Sequence, residues 1–328
     1  MSAALKPAFT TPDRPLTWLI TGCSSGIGLA LVRHAIASGH RVIATSRNPA
    51  RTPELVKEVE AAAGNGSTGP NRWLTLDVDE PSAAASLVRQ LEVDEGIAID
   101  VLVNNAGFAV LQTVERASEA DVRAEMETQF FGPLRLMQAV LPHMRRRRFG
   151  VIVYVSSGSG LEARPSLALY GSAKAAGDAL IKTLAKEVAP FNIRAFYASL
   201  GSFRTSMPDA VRVGKPAAIH STADPVAAAT AADEDYKGDA AGQVMSFMQS
   251  GGQTTSAEGD PLKVARAIFE LASATGIGRG REAEVLLPLG RDSGVRVREV
   301  RATLDHAMEV FGELCDHVRI DDEWIGGQ

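Results

Sequence analysis

Tyr170 and Lys174, in the run Tyr-Gly-Ser-Ala-Lys, stand four residues apart. On a helix that spacing places a phenol and an ammonium one turn apart on the same face. A free phenol titrates near ~10, and a neighbouring cation favours phenolate. The pair is therefore a simple way to make a tyrosine a proton donor near neutral pH. The same spacing also occurs on ordinary solvated or half-buried helix faces, so its meaning depends on what surrounds it. The stretch from Leu161 to Val188 is expected to form the helix that carries it.

A second chemical feature is the glycine-rich run Thr21-Gly22-Cys23-Ser24-Ser25-Gly26-Ile27-Gly28. It follows a short apolar segment, Leu16 to Thr21, and precedes a helical pattern, Ile27 to Ser38, closed by Gly39. A loop there offers free backbone N–H groups and a positive helix end to phosphate oxygens, and the plain alternative is a tight turn. The spacing is Gly-x-x-x-Gly-x-Gly, not the Gly-x-Gly-x-x-Gly of the common dinucleotide fingerprint.

Around these features apolar runs alternate with helical patterns. Strands are expected at His40–Arg47, Trp73–Val78, Asp100–Asn104, Val151–Ser156, Ile193–Ser199 and Ala283–Leu289. Helices are expected at Pro53–Ala63, Pro81–Glu95, Ser118–Arg148, which Gly132-Pro133 should kink or adjust, and Val295–Phe311. Asp260-Pro261 supplies a cap and first-turn proline for one more helix. This alternation implies an α/β fold, a doubly wound parallel sheet of about seven strands with helices on both faces.

Residues 1–15 read as a disordered N-terminal extension, 16–312 as one domain and 313–328 as a tail. Between 208 and 260 regularity fails; rich in Ala, Gly, Ser and Thr, this segment is expected to be a substrate lid.

A net charge of −5 over 328 residues argues against a basic nucleic-acid surface, and no apolar run approaches a membrane span. The basic run Arg145 to Arg148 suits a helix C-terminus. Two cysteines, Cys23 and Cys315, build no disulfide framework and fit a reducing, cytoplasmic setting. No cluster of His, Cys or carboxylate has metal-ligand spacing, so no metal is expected.

The glycine-rich run resembles the fingerprint of the short-chain dehydrogenase/reductase family, whose fold is the Rossmann type, and further motifs follow in order. Asn104-Asn105-Ala106-Gly107 ends the fourth strand, Ser157-Gly158-Ser159-Gly160 follows the fifth, and Tyr170 and Lys174 match Tyr-x-x-x-Lys, with Ser157 thirteen residues before Tyr170. The likeness is good from about Trp18 to Met207 and loose beyond. Within the family, Thr-Gly-Cys-Ser-Ser-Gly and Gly-Ser-Phe-Arg-Thr are similar to the branch with retinol, steroid and other lipophilic carbonyl substrates.

The resemblance implies roles. Tyr170 is the general acid or base, Lys174 lowers its pKa and holds the nicotinamide ribose, and Ser157 bonds the substrate oxygen. Gly22, Ser24, Ser25, Gly26, Ile27 and Gly28 cradle the cofactor phosphates. Asn104 and Gly107 line the adenosine and ribose channel, Asp77 accepts from the adenine amino group, and Phe203 and Thr205 meet the nicotinamide carboxamide. After the second strand stand Ser46 and Arg47 with no carboxylate, which suits the extra phosphate of NADP(H). Gln129 takes the place of the Asn that holds a relay water behind the lysine, and Leu200 stands where the family has proline. The expected activity is NADP(H)-dependent interconversion of a ketone or aldehyde and an alcohol on a lipophilic small molecule, with a homo-dimer or homo-tetramer suggested on the fifth and sixth helices. The alternative is an NADP-binding protein with a redox-neutral (isomerase or cyclase) or regulatory role, motivated by Gln129 and Leu200.

Overall fold

Trp18, Leu19 and Ile20 are shielded completely, as residues buried on both faces of a parallel strand must be. They belong to the first of nine strands in the computed structural model, which describes residues 8–62, 69–205, 211–213, 236, 238–249 and 257–318. The strands are β1 (Thr17–Ile20), β2 (Arg41–Ser46), β3 (Arg72–Thr75), β4 (Val101–Asn104), β5 (Ala109–Leu111), β6 (Gly150–Ser157), β7 (Ile193–Leu200), β8 (Val211–Val213) and β9 (Leu286–Leu289). Seven form one parallel sheet in the order β3-β2-β1-β4-β6-β7-β9, and β5 pairs in parallel with β8. The doubly wound sheet expected from the sequence is present. The order reverses between β1 and β4, which opens a crevice at the carboxyl ends of those strands.

Helices cover both faces. On one side α1 (Gly26–Ala37), α2 (Pro53–Ala61) and a later helix at Pro261–Ala272 enclose a core containing Leu31, Val59, Val103 and Ile268. On the other, α3 (Ala83–Arg89) joins the helices at Gly132–Arg147 and Ala168–Val188 over Leu102, Val140, Ile152 and Ile181. In chain order the remaining helices are α4 (Glu119–Met126), α5 (Gly132–Arg147), α6 (Ala168–Val188), α7 (Ala240–Gln249), α8 (Pro261–Ala272) and α9 (Arg291–His317). Each fully buried Leu, Ile or Val contributes about 1.5–3 kcal/mol.

The kink expected at Gly132-Pro133 is a π-helical segment, Glu127–Phe131, between α4 and α5. Pro133 has no N–H to donate one turn back, and the carbonyl of Gln129 bonds the Tyr154 hydroxyl instead, at 2.9 Å.

Other boundaries differ from the sequence pattern. The described part of the expected N-terminal extension is fastened: Arg14 forks onto Asp100 at 2.7 and 2.9 Å, and Thr10 N–H donates to Asn192 Oδ1. The last helix runs through Gly312 into the expected tail, since an interior glycine costs only about 1 kcal/mol. Within 208–260 the chain forms β8 and α7, and most of the expected lid lies outside the described residues. Among the described residues no helix is long and apolar enough to cross a membrane, and no three His, Cys, Asp or Glu side chains are grouped to hold a metal.

Candidate active site

The turn after β1 is shaped by two glycines in the left-handed region, Gly22 at φ 69° and Gly26 at φ 58°, where L side chains are strained. A Cβ on Gly22 would lie 2.7 Å from Ala106 Cα, and one on Gly28 would lie 2.4 Å from Asn105 Nδ2. These two glycines therefore make room for the Asn105-Ala106 strand end, not for a ligand alone. Asn105 Nδ2 donates to the carbonyls of Thr21 and Gly22, and Thr21 Oγ1 accepts from the amides of Asn105 and Ala106. Two sequence motifs thus lock each other. The exposed Ser24 and Ser25 stand at the start of α1, where Ser25 makes no side-chain cap; the helix's first amides are left to meet an anion.

A cleft of about 1190 Å³ opens above this turn. Gly22, Ser24, Ser25, Gly26, Ile27, Arg47, Gly107, Gln129, Ser157, Tyr170, Lys174, Phe203 and Thr205 all line it. A Cβ added to Gly26 would meet the Thr205 side chain at 3.5 Å, so the segment after β7 lies over the glycine turn. Asp77 and Asn104 are not on the lining. Asp77 Oδ1 accepts the Asp79 amide at 3.1 Å, a strand-end turn contact, while Leu76, Val78 and Asp79 face the cleft. Asn104 is buried, and its side-chain oxygen and nitrogen have no hydrogen-bond partner.

The structure adds residues that the motifs did not reveal. Arg51 and Thr52 join Arg47 at the β2 end of the cleft, and the buried Thr52 Oγ1 has no partner. Arg51 follows Arg47 by four residues, a spacing that carried no signal before the short helix at Pro49–Arg51 was seen to turn it inward. An orphaned hydroxyl beside two guanidinium-bearing residues fits a phosphate monoester. Arg164, Glu162 and Arg296 line the opposite end. Arg296 comes from α9, bonds Asp292 at 2.9 Å and Glu162 at 3.1 Å, and packs against Gly158, beside Ser157.

Tyr170 lies in the first turn of α6. That turn is positioned by Ser166, which adopts φ 64°, accepts the Gln112 amide and donates its hydroxyl to the Ala241 carbonyl. Burial pushes the Tyr170 phenol well above its ordinary value; the Ser157 hydroxyl pulls it back, Glu125 and Asp178 raise it further, and Arg296 opposes them. Lys174 donates to the Val155 carbonyl at 2.7 Å and sits over the Tyr154 ring at 4.9 Å and the Tyr170 ring at 5.7 Å. Burial brings its pKa down to about 8, against the carboxylates of Asp178 and Glu125, which raise it.

The two departures have local explanations. The side-chain amide of Gln129 is completely buried against Gly107 and donates to the Phe108 carbonyl and, at 3.4 Å, to Glu125 Oε2. Leu200 extends β7, paired with Ser157 on one side and Leu289 on the other, and keeps the N–H that proline lacks. Cys23 is packed within the turn; its thiol reaches the Ile20 carbonyl and burial pushes it up to about 12.

A parallel sheet with a glycine-shaped anion turn, facing a Ser, Tyr and Lys at one cleft, defines a nucleotide-dependent oxidoreductase architecture. The family model for short chain dehydrogenase matches residues 17–215, and the chain belongs to that family. An oxidoreductase, claN, from Passalora fulva is 36% identical over 195 residues, covering 59% of this chain and 85% of that one. Retinol dehydrogenase 8 of Bos taurus is 38% identical over 184 residues, 55% of this chain and 57% of that one. A short-chain dehydrogenase structure from Streptomyces avermitilis superposes with TM-score 0.73 at 29% identity, covering 94% of this chain and all of that one. Two structures share the fold at 20% identity: one from Burkholderia phymatum in complex with NAD (TM-score 0.68, 90% and 95% covered) and one from Sphingobium yanoikuyae in complex with NADPH (TM-score 0.63, 94% and 97% covered).

Proposed function

We propose that the protein is an NADP(H)-dependent oxidoreductase that interconverts a carbonyl and an alcohol on a lipophilic small molecule. The observation that carries this reading is the convergence of Ser157, Tyr170 and Lys174 with the glycine turn on one cleft. Bound there, the nicotinamide supplies or accepts hydride. The chain's own groups handle binding and the proton. Gly22, Gly26 and the first amides of α1 hold the pyrophosphate, with Ser24 and Ser25 beside it. Arg47 and Arg51 face the 2′-phosphate, and the lack of a carboxylate at the end of β2 removes the group that would repel it.

On the substrate side, Ser157 donates to the carbonyl oxygen and Tyr170 delivers the proton. Lys174, over the Tyr170 ring, favours the phenolate that remains once the proton has left. Leu167, Phe203, Val211 and Val244 give that end an apolar wall, with Arg164 and Arg296 at its rim. Asp77 acts from behind the lining by fixing the turn that carries Asp79, while Asn104 is buried off the lining with its amide unpaired. The two free thiols, Cys23 buried and Cys315 exposed, suit a reducing cytoplasm.

The test is NADPH oxidation against a panel of lipophilic ketones and aldehydes, with parallel cofactor titration. Substitution Tyr170→Phe should remove turnover by a factor of about 100 or more and leave cofactor affinity nearly unchanged. Turnover that survives the substitution removes Tyr170 from the proton transfer. Tight NADPH binding with no oxidation favours a redox-neutral role.

A further inference from the structure

Arg164 and Arg296 both line the substrate end of the cleft, and their charges are unequally answered. Arg296 comes from the first turns of α9, and its side chain is only 10% exposed. Its Nη2 donates to Asp292 Oδ2 at 2.9 Å, and its Nε stands 3.1 Å from Glu162 Oε1. Asp292 Oδ2 also accepts the amide and hydroxyl of Ser202, so that oxygen has nothing further to offer. Arg296 Nη1 has no hydrogen-bond partner among the described residues. It lies against Gly158, where a Cβ would come within 2.5 Å of it, next to Ser157 in the chain. A buried guanidinium N–H left unpaired is costly.

Arg164 stands on the loop between Ser157 and Tyr170. Its Nε finds a carboxylate at 3.4 Å, and that is the same Glu162 Oε1 that Arg296 holds at closer range. Both terminal nitrogens of Arg164 are without a partner among the described residues, and its side chain is 39% exposed. Burial and then the Arg296 charge push its pKa down, against Glu162 and Asp292. Two guanidinium groups therefore repel each other across one shared oxygen, and a planar pair of N–H donors is left open on the lining. The two oxygens of a carboxylate fit such a fork. Pro165, Leu167, Val211 and Val244 share that end of the cleft, so the open charge stands beside an apolar wall.

We propose that the substrate is a lipophilic oxo acid, its carboxylate received by the Arg164 fork with Arg296 Nη1 behind it, and its chain laid along Leu167, Val211 and Val244. This deepens the proposed function and rests on it for the carbonyl. The carbonyl carbon takes the hydride, its oxygen takes the Tyr170 proton, and the carboxylate takes no part in the chemistry. A neutral ketone that displaces water from the two guanidinium groups leaves them unpaired. A phosphate monoester is a poorer match, because its second charge meets Glu162 on the same lining.

Octanoate, methyl octanoate and octyl phosphate, titrated calorimetrically into the full chain with and without saturating NADPH, test the site apart from turnover. Octanoate should bind at least about tenfold tighter than its ester, and Arg164→Gln should erase that preference, a factor of about ten to a hundred. Arg164→Lys keeps the charge without the fork and should restore part of it. An unchanged melting midpoint should accompany both substitutions, since the side chain is partly exposed. Among oxooctanoates that differ in carbonyl position, each beside its methyl ester, at least one acid should exceed its ester in kcat/KM, through KM, and lose that lead in Arg164→Gln. Octanoate that binds no tighter than methyl octanoate, a preference untouched by Arg164→Gln, or octyl phosphate that binds more tightly than octanoate overturns the proposal. An Arg164-dependent preference for octanoate in a protein that oxidises NADPH with none of the carbonyl compounds keeps the acid site and overturns the oxidoreductase reading instead.

Discussion

The Tyr154 hydroxyl donates to the Gln129 carbonyl at 2.9 Å, across from β6 to the π-helical segment ahead of α5. The same ring lies under the Lys174 ammonium and against Gly177, where a Cβ would come within 2.4 Å of it. One buried tyrosine therefore ties the helical distortion to the helix that carries Tyr170.

Substitution Tyr154→Phe removes the donor and leaves the ring. It strands a buried carbonyl, which should cost about 1–3 kcal/mol, read as a lower urea midpoint with unchanged m-value. Tyr154→Leu removes the aromatic face as well. It should cost more and also lower kcat, because Lys174 loses the surface on which it rests.

Asp178 follows Lys174 by one turn, on the face that also holds Tyr170, and neither of its buried oxygens has a hydrogen-bond partner. Burial raises its pKa to about 6, with the nearby Ser156 hydroxyl and Lys174 opposing. Its folded value lies above its unfolded one, so the folded state binds the extra proton: stability contributed by Asp178 is present at low pH and lost as pH rises through about 6. Asp178→Asn should therefore raise stability at pH 7 relative to wild type and flatten that slope. Its effect on rate has the opposite sign. Lys174 loses its proton near 8, and without the Asp178 charge it does so at lower pH, so the alkaline limb of kcat/KM should move acidward by roughly half to one pH unit. A purely structural role for Asp178 leaves that limb in place.

Much of this was legible because chemistry and backbone geometry coincide in short motifs. Gly22 to Gly28, Asn104 to Gly107, Ser157, Tyr170 and Lys174 are local signals, and the alternation of buried strands with helical patterns placed them at the same end of one sheet. Arg51, Thr52 and Arg296 were not legible. They reach the cleft through a short helix after β2 and through α9, which begins at Arg291, far along the chain from Lys174; nothing in local spacing encodes such an approach. β5 and β8 escaped for a similar reason, since three-residue strands are shorter than any period that can be read. The reason for Gly22 and Gly28 also differs from the expectation. Their close neighbours belong to the Asn105-Ala106 strand end.

That distinction separates three glycine substitutions. Gly26→Ala meets only Thr205 at 3.5 Å and bears mainly the left-handed φ, which costs about 1–2 kcal/mol. Gly22→Ala combines φ 69° with a backbone atom at 2.7 Å, and overpacking adds about 1–3 kcal/mol. Gly28→Ala has no φ penalty but collides with Asn105 Nδ2 and the Gly22 carbonyl. Thermal unfolding should rank Gly22→Ala as the least stable and Gly26→Ala as the mildest. If Gly26→Ala is nevertheless the variant that loses the most cofactor affinity, then its missing Cβ serves the ligand and those of the other two serve the fold.

Cofactor preference rests on the β2 end of the cleft, where Arg47 and Arg51 stand and Ser46 is occupied by the Trp73 indole N–H at 2.9 Å. Each guanidinium bonded to a 2′-phosphate is worth about 1.5–3 kcal/mol, a factor of about ten to a hundred in affinity. Arg47→Ala and Arg51→Ala should each weaken NADPH by that factor and leave NADH nearly untouched, measured as dissociation constants by fluorescence titration with both cofactors. Replacing Ser46 by Asp should go further, since a carboxylate there accepts from a free ribose hydroxyl and repels its phosphate. The Trp73 indole can still donate to that carboxylate, so the strand end is kept. A wild type that binds NADH as tightly as NADPH, with neither arginine substitution separating them, would show that both guanidinium groups face solvent and that the choice of cofactor lies elsewhere.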